Sequence, residues 1–218
     1  MQNNLMSFSS LTGESIRDIR VKPEYDSTYE YGISEVNMKL LKDVRIAISG
    51  KSGCGNTTVS GMLAEKLGVK LINYTFRQLA EEKGMTLKEV IDAAREDDSY
   101  DKYVDKHQVE LALEQSCVLG SRLAIWMLKE ADLKVYLYAS DDTRAGRVFN
   151  REGGDLQAIK DFTAMRDRED TARYKEFYGI DNNDYKFVDL IIETDDKNPE
   201  QIVEIILKKL EEKGFITE

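Results

Sequence analysis

The chain has 218 residues and a net charge of -10, from 31 Lys and Arg against 41 Asp and Glu, with 41% hydrophobic and 33% charged residues. That length buries a substantial core as one large domain, or as one domain with an extension. The acidic balance argues against broad nucleic-acid binding, which draws on a basic face. The lack of any apolar run near 18 residues argues against a membrane span. Two cysteines, Cys54 and Cys117, give no disulfide framework and suit the reducing cytoplasm. The N-terminus has neither the basic start nor the apolar core of a secretion signal.

Residues 1–42 are polar, hold Tyr25, Tyr29 and Tyr31 around Pro23, and show no periodicity. They read as an N-terminal extension, either an arm that contacts a second copy or a mobile tail. Residues 43–218 read as the folded domain. Val44, Ile46 and Ile48 alternate at strand spacing, and the chain then opens into Gly50, Lys51, Ser52, Gly53, Cys54, Gly55, Asn56, Thr57 and Thr58. Val59, Met62, Leu63 and Leu67 follow at helical spacing. Strand, glycine turn and helix in that order form a phosphate-binding loop, whose freed N–H groups and helix N-terminus favour an anion. The common pattern, Gly-x-x-x-x-Gly-Lys-Ser/Thr, has Lys where this chain has Asn56; Thr57 is the expected magnesium ligand.

Strands are expected at 44–49, 69–73, 117–120, 133–139 and 188–194, separated by helices, as in a parallel α/β sheet with ligands at the strand carboxyl ends. Between the second and third strands lies an insert of helices. One runs from about Thr75 to a stop at Gly84, one opens with the capping box Thr86-Leu87-Lys88-Glu89, and one runs from about Ser99 to Gln115. His107 shares a helical face with Tyr103, Val104 and Leu111 and reads as structural. Trp126 and Met127 read as core packing.

The arginines carry the next argument, because a planar guanidinium fork holds phosphate oxygens in pairs. Arg77 and Arg122 follow strand ends, where the phosphate of a second substrate would sit. Arg144, Arg147 and Arg151 share one face of a helix opened by Asp141, and Arg147 is assigned to phosphate binding. After Gly153-Gly154, Asp155 caps a long helix on which Arg166, Asp170 and Arg173 share a face. Two such helices joined by a glycine turn read as a lid. Asn198-Pro199-Glu200 starts a last helix, whose Ile202, Val203, Ile205, Ile206 and Leu210 face the core.

From about Val44 to Lys209 the chain resembles the archaeal-type cytidylate kinases, a branch of the nucleoside monophosphate kinases. Phe76-Arg77-Gln78-Leu79-Ala80, Gly84-Met85-Thr86-Leu87 and Arg122-Leu123-Ala124-x-Trp126-Met127 are similar to family motifs. So are Arg173-Tyr174-Lys175-Glu176-x-Tyr178-Gly179-Ile180-Asp181 and Asp189-Leu190-Ile191-Ile192-x-Thr194. The family often has Thr in place of the loop lysine, so Asn56 is a variation within it. The resemblance implies a P-loop kinase three-layer sandwich: a five-stranded parallel sheet, a helical monophosphate-binding insert at about 74–116 and a helical lid at about 144–173. It implies transfer of the ATP γ-phosphate to CMP or dCMP with Mg2+. Gly50–Thr58 would then hold the ATP phosphates, and Arg77 and Arg122 the CMP phosphate. Arg166 and Arg173 would close over the transferring group with Arg122, and Asp170 would orient the monophosphate or an arginine. Asp105 and Gln108 would face the base. The family usually has an acid where this chain has Gly120, so two alternatives stay open at this point. One is a nucleotide-binding module with impaired catalysis; the other is a kinase of a different small molecule.

Overall fold

The computed structural model describes residues 39–217, and the expectations for Pro23, Tyr25, Tyr29 and Tyr31 lie outside the described residues. In chain order, β1 is Lys39–Leu40, β2 Arg45–Gly50, α1 Asn56–Leu67, β3 Lys70–Ile72, α2 Phe76–Lys83, α3 Leu87–Ala94 and α4 Ser99–Leu113. They are followed by β4 Cys117–Gly120, α5 Ala124–Met127, β5 Leu133–Tyr138, α6 Asp141–Glu152, α7 Leu156–Tyr178, β6 Leu190–Glu193, α8 Pro199–Glu212 and β7 Ile216–Thr217. All five expected strands form, and they make one parallel sheet in the order β3-β4-β2-β5-β6. Two further strands were not anticipated. β1 and β7 pair antiparallel, Lys39 with Thr217 and Leu40 with Ile216, which brings the end of the segment read as an extension against the last strand.

The central strand β2 is buried along almost its whole length, as a strand covered by helices on both faces must be. Its two faces feed different cores. Ile46 and Ile48 pack with Met62, Leu63 and Leu67 of α1 and with Ile202, Val203, Ile206, Leu207 and Leu210 of α8. Ala47 faces the opposite core, with Ala112 of α4, Leu119 of β4, and Ala124 and Ile125 of α5. Burying each such aliphatic side chain is worth about 1.5–3 kcal/mol, so α8 is held chiefly by its apolar face. α8 begins as expected, with Asn198 and Gln201 in a reciprocal capping box and Pro199 in the first turn.

The insert carries a small core of its own. Tyr74, Leu79, Ala80 and Val90 are buried together, with Phe76, Met85, Tyr100, Val104 and Leu111 against them. The capping box at Thr86 and Glu89 and the left-handed stop at Gly84 both form. His107 is half-buried, stacked on Tyr103 with ring centres 5.3 Å apart and edge-on to Tyr74 at 4.7 Å. Among the described residues no helix is long and apolar enough to cross a membrane.

Candidate functional site

The glycine loop joins the carboxyl end of β2 to α1. Gly53 and Gly55 have φ of 85° and 93°, a region that L side chains rarely adopt, and Gly55 caps α1 in the left-handed conformation. At Gly50 a Cβ would lie 2.7 Å from the Leu137 carbonyl oxygen of β5, so only glycine lets the loop leave the sheet there. The result is a glycine turn that runs into a helix N-terminus, a geometry that attracts phosphate.

Two arginines of α6 hold this loop, and the sequence pattern had set them apart poorly. Arg144 is 2% exposed. Its Nη1 donates to the Ser52 carbonyl at 3.1 Å, and its Nη2 donates to Asp141 at 2.6 Å and to Asp167 of α7 at 2.7 Å. Arg147 donates to the Gly53 and Cys54 carbonyls, both at 3.3 Å, and to the Thr194 hydroxyl at 3.0 Å, with a further bond to the Thr194 carbonyl. Arg147 therefore grips loop carbonyls rather than presenting a free fork. Arg151, expected on the same face, pairs among the described residues only with its neighbour Glu152.

The other arginines converge on Asp170, which is 7% exposed on α7. Arg122 Nη1 donates to Asp170 Oδ2, and Arg173 Nη2 donates to Oδ1 at 2.9 Å. Arg173 also pairs with Asp101 of α4 at 3.2 Å and lies over the Tyr174 ring. Burial opposes the Arg122 charge most strongly, but the Asp170 carboxylate and Tyr174 together outweigh it and raise the Arg122 pKa above the usual value. Arg166 is exposed and makes no ion pair among the described residues. Loss of hydration, then the Arg122 charge, push its pKa down. Arg122 is fixed from below: the buried Ser49 hydroxyl donates to the Ser121 carbonyl at 2.8 Å and accepts from the Ile125 N–H at 3.1 Å. Arg77, on the first turn of α2, is exposed, and no hydrogen bond or ion pair links it to this cluster.

Gly50, Lys51, Arg122, Trp126, Tyr136, Asp167, Asp170 and Asn182 line one cleft. Trp126 is thus a wall of the site and not only core. Its indole N–H donates to the Asp184 carbonyl at 3.3 Å and its ring meets Tyr136 edge-on. Asp167 and Asn182 were not anticipated. The Thr171 hydroxyl ties them together, 2.8 Å from the Asp167 carbonyl and 2.7 Å from Asn182 Oδ1.

On the insert, Asp105 accepts from the Tyr178 hydroxyl at 2.9 Å and from Gln108 Nε2 at 3.3 Å. Burial raises the Asp105 pKa from 3.8 to about 6, against the opposing effects of the Tyr178 bond and Arg173. Gln108 is 3% exposed and its Oε1 has no partner, an acceptor left open beside Asp105. Asp101 links this corner to Arg173, and through Asp170 to Arg122.

Position 120 explains its own missing acid. A Cβ there would lie 2.5 Å from the Ser60 hydroxyl oxygen, 2.8 Å from Ser60 Cβ and 3.7 Å from Asn56 Oδ1. Ser60 donates to Asn56 Oδ1 at 3.2 Å, so Asn56, Ser60 and Gly120 form one packed unit.

Residues 45–196 match the cytidylate kinase-like family. The chain is 43% identical over 176 residues to "Cytidylate kinase 2" of Borreliella burgdorferi, covering 79% of this chain and 98% of that one. It is 43% identical over 173 residues to "Cytidylate kinase" of Archaeoglobus fulgidus, covering 78% and 96%. Among solved structures, a shikimate kinase from Bacteroides thetaiotaomicron superposes with a TM-score of 0.54 at 19% identity, over 77% of this chain and 98% of that chain, a likeness of fold alone.

Proposed function

The chain belongs to the cytidylate kinase-like family, and on that premise we infer that it transfers the γ-phosphate of ATP to CMP or dCMP, releasing ADP and CDP or dCDP. The observation that carries the reading is a cleft in which Gly50 and Lys51 of the glycine loop face Arg122 and Asp170, the carboxylate that also holds Arg173. Loop and cluster match the two halves of a phosphoryl transfer, a donor cradle and an acceptor clamp.

In this reading the N–H groups of Gly50–Thr58 hold the ATP phosphates. Arg122 binds the acceptor phosphate, and Arg77 reaches it from α2. Asp170 keeps the two guanidinium groups of Arg122 and Arg173 side by side in spite of their like charge. Arg166 and Arg173 meet the charge that spreads over the transferring group. An oxygen of the CMP phosphate attacks the γ-phosphorus. The bond to the β–γ bridging oxygen breaks, and its electron pair leaves on ADP. Because the acceptor is already an anion, no side chain has to remove a proton. Asp105 and Gln108 face the base, whose exocyclic amine can donate to the open Gln108 Oε1.

Mg2+ fits the site through substrate oxygens. It keeps several waters and binds largely by phosphates, and Thr57, half-buried on the first turn of α1 with its hydroxyl unbonded among the described residues, is the protein group that would hold it. Once bound, the ion neutralises charge on the β- and γ-phosphates.

A coupled assay of ADP release across the nucleoside monophosphates tests this. Turnover should be fastest with CMP or dCMP. No turnover with any monophosphate would leave a nucleotide-binding module, the alternative that Asn56 and Gly120 motivate, or a kinase of another small molecule; calorimetric binding of CMP at the monophosphate site without turnover would favour the module.

A further inference from the structure

The phosphate loop lacks its lysine at position 56 but has one at position 51. We propose that the Lys51 side chain supplies the cation that Asn56 cannot, approaching the transferring phosphate from the β2 side of the loop. The proposal rests on the reading of Gly50–Thr58 as the ATP cradle and assigns the loop's charge to one side chain.

Three observations carry it. First, Asn56 is neutral and engaged elsewhere. Its Oδ1 accepts from the Ser60 hydroxyl and sits against the carboxyl end of β4, 3.7 Å from where a Gly120 side chain would begin. A lysine at 56 would have to displace that packing. Second, Lys51 lines the same cleft as Gly50, Arg122 and Asp170, and its ammonium lies 3.9 Å from Asp167, another residue of that lining. Third, Lys51 is not committed to another partner. Its nearest carboxylate oxygen, Asp167 Oδ2, is 3.9 Å from Nζ, too far for a hydrogen bond. That oxygen is already held by Arg144 at 2.7 Å. With 32% of its side chain exposed and no side-chain hydrogen bond among the described residues, Lys51 can turn its ammonium to a ligand without leaving a buried group unsatisfied. In contrast Arg144 and Arg147, the other cations beside the loop, spend their donors on its carbonyls.

The division of labour that follows differs from the common pattern. There one lysine next to the Ser/Thr reaches the β- and γ-phosphates. Here the charge comes from the residue after the loop's first glycine, and Asp167 of α7 holds the ammonium loosely until a phosphate replaces it.

The test compares wild type with Lys51→Met in the full chain, reading kcat for ATP and CMP, ATP affinity by calorimetry, and thermal melting. The expected result is a loss of about 100-fold or more in kcat, the size typical of one electrostatic donor, with a several-fold weaker Kd for ATP and an unchanged melt. Lys51→Cys should be equally impaired, and alkylation with 2-bromoethylamine, which rebuilds an ammonium of nearly the same length, should restore most of the activity. The native thiols are shielded, since Cys54 and Cys117 are 2% and 0% exposed. Lys51→Met with kcat and Kd within about threefold of wild type would overturn the proposal, as would an alkylated Cys variant that stays impaired. A wild-type protein that binds ATP but turns over no monophosphate would overturn the proposed function instead; an unweakened ATP Kd in Lys51→Met would then also overturn the assignment of Lys51.

Discussion

Introducing a side chain at Gly120 tests whether the missing acid is a loss or a repacking. In Gly120→Ala the new methyl would start 2.5 Å from the Ser60 hydroxyl oxygen and 2.8 Å from Ser60 Cβ, inside a fully buried strand end. Neither neighbour is the far end of a flexible chain, so α1 or β4 must shift. Overpacking of this kind costs about 1–3 kcal/mol. For a chain of this size about 2 kcal/mol lowers Tm by roughly 4–8 °C. Ser60→Gly removes both clashing atoms, at a cost of about 1 kcal/mol for glycine inside a helix. The double variant should therefore be less destabilised than the sum of the single variants by about 1–2 kcal/mol. Ser60→Ala should rescue less, because the 2.8 Å contact to Cβ remains. Urea melts of the four chains of the cycle measure this. A Gly120→Ala variant that melts with wild type, or strict additivity in the double variant, would refute the packing argument.

Three other expectations follow from the site. Arg173→Ala should lower kcat by about 100-fold or more while weakening ATP binding little, because the charge it meets develops in the transition state; steady-state kinetics beside ATP calorimetry would measure this. Arg144→Met breaks a buried ion pair and leaves Asp167 without its partner, so it should cost about 3–5 kcal/mol, seen as a large drop in thermal melting even away from substrate. Asp105 has a folded-state pKa raised from 3.8 to about 6, so the native state holds its proton more tightly than the unfolded chain. Stability contributed by that proton is full below about pH 4 and is lost as pH rises through about 6. Asp105→Asn should therefore be more stable than wild type at pH 7 by about 1–3 kcal/mol, with the difference shrinking toward pH 4 in denaturant melts.

What the sequence made legible was local. The loop needs a strand, close-set glycines and a helix within about 20 residues, and each leaves a pattern. The capping boxes at Thr86 and Asn198 and the stop at Gly84 are equally short-range. Asp170 and Arg173 were legible with Arg166 because helical spacing puts them on one face, and Arg122 with Arg77 because both follow strand ends. Arg144 was visible only as one of three arginines on one helix. Its importance comes from Ser52, 92 positions away, and Asp167, 23 positions away, distances at which periodicity is silent. Trp126 looked like core because an indole beside apolar neighbours usually is; the fold turns its ring toward the cleft. β1 and β7 escaped notice because two residues have no alternation to detect.

That small pairing has a mechanical consequence. Lys39 faces Thr217, and Leu40 faces Ile216 one step further in, so the two outgoing ends of the described chain leave from the same end of a two-rung ladder. Tension applied across those ends would open the rungs in succession, like a zipper, instead of shearing them together. β1 and β7 would part before force reached β2 or α8. The parallel sheet, with the glycine loop at the far end of β2, would bear none of the pull until that fastening had opened.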